Sequence, residues 1–487
     1  MKSRNLTLMT DLYELTMMQG YFKEQNNETV IFDMYYRSNP CEGGYAIAAG
    51  LEQLIDYIQR LHFSYEDIEY LRSLGIFDVD FLEYLRGFHF SGDMYAIPEG
   101  TPVFPNEPLV KVVAPIMEAQ LLETSLLNII NHQCLIATKA SRVVWAAGGD
   151  GIMEFGLRRA QGPDAGIYGA RAAMIAGCVG TSNVIAGKMF GVPVKGTHAH
   201  SWIMSFPDEL TAFRAYARLY PNACILLVDT YDTLRSGLPH AIQVFQEMRE
   251  AGIDSAYYGI RLDSGDLAYL SKKARAMLDE AGFPDAVISA SCDLDEYIIQ
   301  SLKDQGAQIT SWGVGTNLIT SKDCSSFGGV YKLAAIWSRE EQRFIPKLKR
   351  SENPEKVSNP GDKVIYRIYK KDTGKIVGDL IALREETFDP ALDLMIFDPI
   401  HTWKQTLLKG GTYTLRPMLI KVFDRGVRIY DSPTVPEIQA YCREELSTLW
   451  DETRRFYNPH KVYVDLSAKL YNTKNELLGS ILPEAKL

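Results

Sequence analysis

Tyr257-Tyr258-Gly259-Ile260-Arg261-Leu262-Asp263-Ser264-Gly265-Asp266 is a short apolar run that breaks into polar, glycine-bearing residues just before helical spacing resumes at Leu267. The same order of events recurs on both sides of it. Upstream stand Gly151-Ile152-Met153-Glu154-Phe155, Val192-Pro193-Val194 and Cys224-Ile225-Leu226-Leu227-Val228. Downstream stand Ala286-Val287-Ile288-Ser289-Ala290, Gln308-Ile309-Thr310-Ser311 and Gly329-Val330-Tyr331-Lys332-Leu333. Most runs lie about 20 to 40 residues apart, room for one strand and one crossover helix. Runs this short and apolar suit strands covered on both faces. Polar residues follow nearly every one: Arg158, Thr197 to His200, Asp229, Arg261 to Asp266, Asp293, and Gly313 to Thr316. A barrel gathers such strand ends around one mouth, whereas an open sheet uses mainly those at its switch point. The expected fold is therefore α/β, an irregular (β/α) barrel over residues 136–345.

The flanks read differently. Residues 1–135 mix short strands (Val30 to Tyr36, Val110 to Val113) with helical stretches and proline-bearing turns, an N-terminal α+β domain. Residues 346–487 form a C-terminal α+β extension, opened by the charged connector Pro346 to Lys363. Within it, Lys371-Asp372-Thr373-Gly374 separates two apolar runs as a hairpin turn does. A helix is expected from Thr434, with Pro436 in its first turn and Glu437 closing a Thr-x-x-Glu capping box.

Bulk composition narrows the class. A chain of 487 residues exceeds one small core, and 46% hydrophobic with 23% charged residues is ordinary globular composition. The net charge of −10 argues against a nucleic-acid partner, which normally meets a basic surface. No stretch approaches the ~18 apolar residues needed to span a bilayer, and Met1-Lys2-Ser3-Arg4-Asn5 leads straight into a helix pattern. The seven scattered cysteines lack C-x-x-C spacing, the usage of a reducing compartment. We expect a cytoplasmic protein with no membrane anchor.

Several motifs carry chemistry. In Arg261-Leu262-Asp263-Ser264-Gly265-Asp266 two carboxylates three residues apart can face one polyol or one Mg²⁺, a cation that takes few carboxylates plus phosphate oxygens. The plainer alternative is a tight turn with Asp266 capping the helix at Leu267. Trp312-Gly313-Val314-Gly315-Thr316-Asn317 follows a late strand, where barrels often hold phosphate. No G-x-x-x-x-G-K-[ST] occurs, so the chain is not a P-loop NTPase. Asp229, in Ile225 to Thr233, reads as a strand with a capping end. His198-Ala199-His200 invites a binuclear metal site, yet no histidine lies between His240 and His401 to complete one. On the first helix, Asp11 and Glu14 form a cap pattern, and Leu12, Leu15, Met18 and Phe22 share the expected buried face. Tyr13 and Met17 point away from it, at about 100° per residue.

Together and in this order, these segments resemble the nicotinate phosphoribosyltransferase family. The matching stretches are Thr10 to Tyr13, Glu154-Phe155-Gly156-Leu157-Arg158-Arg159-Ala160-Gln161-Gly162-Pro163-Asp164, Gly196 to Ser201, Arg261 to Asp266, Gly313 to Asn317 and the connector Leu348 to Pro354. The resemblance implies a type II phosphoribosyltransferase-like barrel and a homodimer with shared active sites, Tyr13 reaching into the neighbour. It implies that Tyr13 and Phe155 stack on the pyridine ring, with Thr197 and Arg261 at the nicotinate end. Arg158 would contact pyrophosphate, Ser264 and Gly265 would line the phosphoribosyl pyrophosphate site, and Gly313, Gly315 and Thr316 would cradle its phosphate. Asp263 and Asp266 would hold ribose hydroxyls or Mg²⁺. His200 would be phosphorylated by ATP as a co-substrate, with His198 its rival for that role. The related nicotinamide enzyme carries an aspartate where Ser182 stands here, so its absence favours the nicotinate carboxylate. The competing readings are a quinolinate phosphoribosyltransferase and a non-catalytic phosphosugar-binding regulator on the same barrel.

Overall fold

The computed structural model describes residues 4–253, 255, 257–353 and 356–480. Met1 to Ser3 and Pro354, quoted above, lie outside the described residues. The chain divides into two compact units, one comprising residues 136–325 and 434–439, the other the residues up to 135 with 326–433 and 440–487.

The first of these units is built on a six-stranded parallel sheet. Its order is Gly180–Thr181, Gly151–Glu154, Ser311–Val314, Val287–Ser291, Tyr258–Leu262, Cys224–Leu227. The edge strands Gly180–Thr181 and Cys224–Leu227 do not pair with each other, so hydrogen bonding makes a half-barrel of six strands from the seven runs expected of an irregular barrel. Two of the expected strands account for the difference. Val192 to Val194 contributes only a bridge between Val194 and Thr181. Gly329 to Leu333 belongs to the other unit, where Gly329–Ser338 pairs antiparallel with Thr29–Tyr36. The unit's continuous stretch runs over residues 136–325, with 434–439 added to it.

All six strands run the same way, so every C-terminal end lies along one edge of the sheet. Helices then start at that edge, and their caps are chemically marked. Asn183 accepts from Ala186 N, Asp266 from Tyr269 N, and Asp295 from Tyr297 N and Ile298 N. Each side chain satisfies an otherwise unpaired N–H of a first turn. Next to the Asp295 cap, buried Glu296 joins Lys139 (2.7 Å) and Arg142 (2.9 Å) of the helix Ile116–Ala147. A buried carboxylate needs such partners, because leaving one charge alone costs several kcal/mol, about 3–5.

The second unit carries a seven-stranded antiparallel sheet: Arg343–Pro346, Gly329–Ser338, Thr29–Tyr36, Val110–Pro115, Asp93–Ala96, Ile420–Asp424, Val427–Arg428. Segments expected as separate N-terminal and C-terminal domains thus share one sheet. A four-stranded sheet adds Tyr413–Pro417, Lys363–Lys370, Ile376–Leu383 and Tyr463–Leu466. Its central pair is the expected hairpin around Lys371 to Gly374. The capping box at Thr434 forms in part, with Glu437 accepting from Thr434 N at 2.7 Å. The first helix, Leu12–Lys23, departs from its expected face: Leu15 and Met18 are buried, but Leu12 is exposed and Glu14 is buried in its place. Glu14 accepts from Gln120 Nε2 instead of capping the helix. No helix among the described residues is long and apolar enough to cross a membrane.

Candidate active site

The C-terminal edge of the parallel sheet gathers most of the chemistry-bearing residues named from sequence. Leaving the strand Tyr258–Leu262, the chain turns through Asp263 to Asp266, with Gly265 at φ +79°, a conformation that favours glycine. This turn is held from the neighbouring strand. Asp229 Oδ2 accepts from Asp263 N and from Ser264 Oγ, both at 2.7 Å. Ser291, ending the strand on the other side, donates its hydroxyl to Asp263 Oδ1. Asp266 Oδ1 accepts from Tyr269 N at 3.0 Å, the helix cap weighed from sequence.

Asp229 is the residue that sequence reasoning undervalued. The sequence reads it as a capping end, but the cap of the next helical turn is Asp232, which accepts from Arg235 N. Asp229 instead orders the Asp263–Ser264 backbone, and its other oxygen, Oδ1, is buried without a hydrogen-bond partner. The available signal was a carboxylate directly after a wholly buried strand, where solvation has to be replaced by partners. Thr230 and Ser291 carry no comparable signal in sequence.

The two histidines separate cleanly. His198 is buried, its Nε2 accepts from Leu227 N at 3.3 Å, and its ring meets Tyr216 edge-on at 4.6 Å. Burial pushes its pKa down to about 4, so the ring is neutral near pH 7. His200 is part-exposed. Its Nδ1 lies 3.0 Å from Thr230 Oγ1, and its Nε2 lies 3.7 Å from Asp263 Oδ2 and 4.0 Å from Asp229 Oδ1. It is therefore His200 that offers a ring nitrogen beside the acidic turn.

Arg261 points from the same strand as Asp263. Its Nη1 donates to Thr197 Oγ1 and to His198 O at 3.2 Å, and its Nη2 lies 3.5 Å from Asp263 Oδ1. Burial pulls its pKa below the usual arginine range, while Asp263 and Asp229 favour the charge. On the strand Gly151–Glu154, Glu154 is buried and accepts from Gly156 N and Thr181 Oγ1, which fixes the turn leading to Phe155. Burial raises the Glu154 pKa against those two bonds. The Phe155 ring occupies the space a Cβ on Gly313 would take, 2.7 Å from its Cδ2. Gly315 lies against the Phe155 backbone, where a Cβ would stand 3.2 Å from the carbonyl oxygen. These glycines therefore seat Phe155, whatever else the adjoining loop contacts. Arg158 lies exposed in the turn Leu157–Arg159. Ser182 follows the edge strand, its N–H bonded to Glu154 O at 3.0 Å.

Known proteins resemble this chain along nearly its whole length. The model of the nicotinate phosphoribosyltransferase (NAPRTase) family matches residues 151–341, and those of its N-terminal and C-terminal domains match 8–131 and 362–474. Nicotinate phosphoribosyltransferase of Bacillus subtilis (strain 168) is 46% identical over 99% of this chain and 96% of its own. The chain belongs to the nicotinate phosphoribosyltransferase family. The family extends widely: the Homo sapiens nicotinate phosphoribosyltransferase is 32% identical over 98% of this chain and 97% of its own. The crystal structure of human nicotinic acid phosphoribosyltransferase superposes with a TM-score of 0.84 at 30% identity, covering 96% of this chain and 99% of that one. A nicotinate-nucleotide pyrophosphorylase structure from Pyrococcus furiosus shares the fold at a TM-score of 0.68 and 21% identity, over 91% and 96% of the two chains. In this member of the nicotinate phosphoribosyltransferase family, Tyr13 lies on the first helix with nearly half its surface exposed (46%), beside exposed Leu12 and Met17.

Proposed function

We propose that this chain joins nicotinate to phosphoribosyl pyrophosphate, releasing pyrophosphate and nicotinate mononucleotide, a step of NAD biosynthesis coupled to ATP hydrolysis through a phosphohistidine at His200. Family membership supports the reaction. The observation that carries the coupling is the His200 ring, held at Nδ1 by Thr230 and presenting Nε2 within 4.0 Å of Asp229 and Asp263. With Thr230 accepting from Nδ1–H, the Nε2 lone pair is free to attack the terminal phosphorus of ATP, and ADP leaves.

In the transfer itself, the pyridine nitrogen of nicotinate forms a bond to the ribosyl C1 as the C1–O bond to pyrophosphate breaks. Positive charge develops at C1, and the Asp263 carboxylate stabilises it. Phe155 provides one face for the pyridine ring and Tyr13 of a second subunit the other. Arg261, with Thr197, sits at the nicotinate carboxylate end, where a part-buried cation favours an anion. Ser182 adds no acid to oppose that carboxylate. Arg158 takes pyrophosphate oxygens, and Ser264, Gly265, Gly313, Gly315 and Thr316 border the phosphoribosyl moiety. Among the described residues no group of three or more His, Cys, Asp and Glu ligands assembles a metal cage. The fit with Mg²⁺ is of the other kind, with one or two carboxylates completed by phosphate oxygens and water. Asp263 and Asp229 would hold it, since Asp229 Oδ1 is buried and unbonded. When bound, Mg²⁺ neutralises phosphate charge. Asp266 acts on the turn through its helix cap.

The test is mononucleotide formation from phosphoribosyl pyrophosphate and Mg²⁺ with nicotinate, nicotinamide or quinolinate, each with and without ATP. Product from nicotinate, raised by ATP, is expected; His200→Ala keeps the basal product and loses the ATP enhancement. Equal turnover of nicotinamide overturns the substrate, product from quinolinate favours that rival, and no product returns the chain to a phosphosugar-binding role.

A further inference from the structure

The four-stranded sheet of the C-terminal region carries a cavity of about 780 Å³ that takes no part in the reaction above. That size falls within the range of small-molecule sites, about 300–1,000 Å³. Apolar Ile376, Val377, Leu408 and Tyr413 line it, together with Trp450. Lys370, Lys371 and Lys409 are among the lining residues, against the single carboxylate of Asp372. This cationic concentration stands out on a chain whose net charge is −10.

The walls are tied together before any ligand arrives. Trp450 Nε1 donates to Ile376 O at 2.8 Å, which fixes the indole while leaving 38% of the residue exposed. Ile376 N bonds Thr448 O (2.9 Å), and Lys375 Nζ donates to Ser447 O and Leu449 O (2.8 and 2.7 Å). Beyond the paired residues Lys370 and Tyr413, Lys371 N bonds Thr412 O at 2.9 Å. A cavity ordered in this way loses little freedom on binding. Lys370 pairs with Asp372 (3.2 Å) and Lys409 with Asp393 (2.8 Å), but both pairs are exposed and exchange readily for a more highly charged partner. Lys371 makes no ion pair among the described residues.

We propose that this cavity is a second small-molecule site, and that its ligand class is the nucleotides, with the ring laid against Trp450 and the phosphates on Lys371 and Lys409. An indole and an apolar lining suit a flat ring, while ammonium groups suit phosphate. The site is independent of the proposed reaction and can fail without it.

The full-length protein is titrated with ATP, AMP, adenosine and tripolyphosphate while tryptophan fluorescence is followed. ATP and AMP are expected to give a saturable change that Trp450→Phe abolishes. Lys371→Ala/Lys409→Ala should raise half-saturation by about tenfold or more, the loss of two exposed phosphate contacts. Both variants should form mononucleotide at the wild-type rate without the probe. Adenosine and tripolyphosphate, each lacking half of the recognised chemistry, should bind more weakly than ATP. The proposal is overturned if no Trp450-dependent change appears at millimolar nucleotide, if the lysine variant binds equally well, or if tripolyphosphate matches ATP.

Discussion

Asp229 and Asp266 both follow a strand and precede a helical turn, yet the structure gives them different work. Asp229 receives Asp263 N and Ser264 Oγ, whereas Asp266 caps the helix Leu267–Glu280. Asp229→Ala frees the backbone beneath Asp263, and a displacement of about 1 Å at a reacting group costs on the order of 100-fold in rate. We expect kcat/KM to fall by about that factor in steady-state assays, with the fold retained. Asp266→Ala removes a cap worth about 1 kcal/mol, so thermal unfolding should shift while turnover falls far less. Equal losses of turnover would show that Asp266 also touches substrate. Gly313→Ala places a Cβ where the Phe155 ring lies, and the expected signature is a raised KM for nicotinate with KM for phosphoribosyl pyrophosphate little changed. The residue types were legible before the fold. Which histidine stood free was not, because His198 and His200 differ only in what packs around them: Leu227 N and Tyr216 enclose one, Thr230 and two carboxylates face the other. Sequence spacing carries no record of those neighbours.

Elements were readable where their pattern was local. The hairpin at Lys371 to Gly374 and the start of the helix near Thr434 depend on residues a few positions apart, and both occur as expected. The strand Gly329–Ser338 shows the limit: an apolar run looks the same in a buried parallel sheet and in an antiparallel one. Its partner, Thr29–Tyr36, lies some 300 residues away along the chain and decides which sheet it joins. The first helix failed for another reason. Glu14 was placed as a capping acid by sequence, and the fold buries it with Gln120 as partner. Burial raises its carboxyl to about 7, against about 4.5 for the free group. Below pH 4.5 the group is protonated folded or unfolded, and its contribution is fully present. As pH rises towards 7 the unfolded chain releases the proton first, so stability falls, by an amount on the order of 3 kcal/mol, and levels off above pH 7. Unfolding midpoints of wild type and Glu14→Gln at pH 5 and pH 8 should therefore diverge, the variant gaining at pH 8. Parallel behaviour would clear Glu14 of that role.

At the scale of the molecule, composition and the order of motifs pointed to an α/β enzyme, but not to how its segments interleave. One feature of the first helix bears on assembly. Leu12, Tyr13 and Met17 expose apolar surface on the helix that carries a residue assigned to the nicotinate ring. In the proposed homodimer with shared sites, Tyr13 of one subunit would complete the site that His200 and Asp263 of the other begin. Tyr13→Ala and Asp263→Ala then injure each site from different chains. Mixed after mild dissociation, the two inactive proteins form heterodimers in which one site carries both defects and the other carries neither. Random pairing makes half the dimers mixed, each with one intact site, so activity should recover to about a quarter of wild type. A site built wholly within one chain gives no such recovery, because every site in the mixture then keeps one of the two defects. Sedimentation of the mixture, run beside the assay, shows whether dimers re-formed and so assigns a negative result to the site rather than to the exchange.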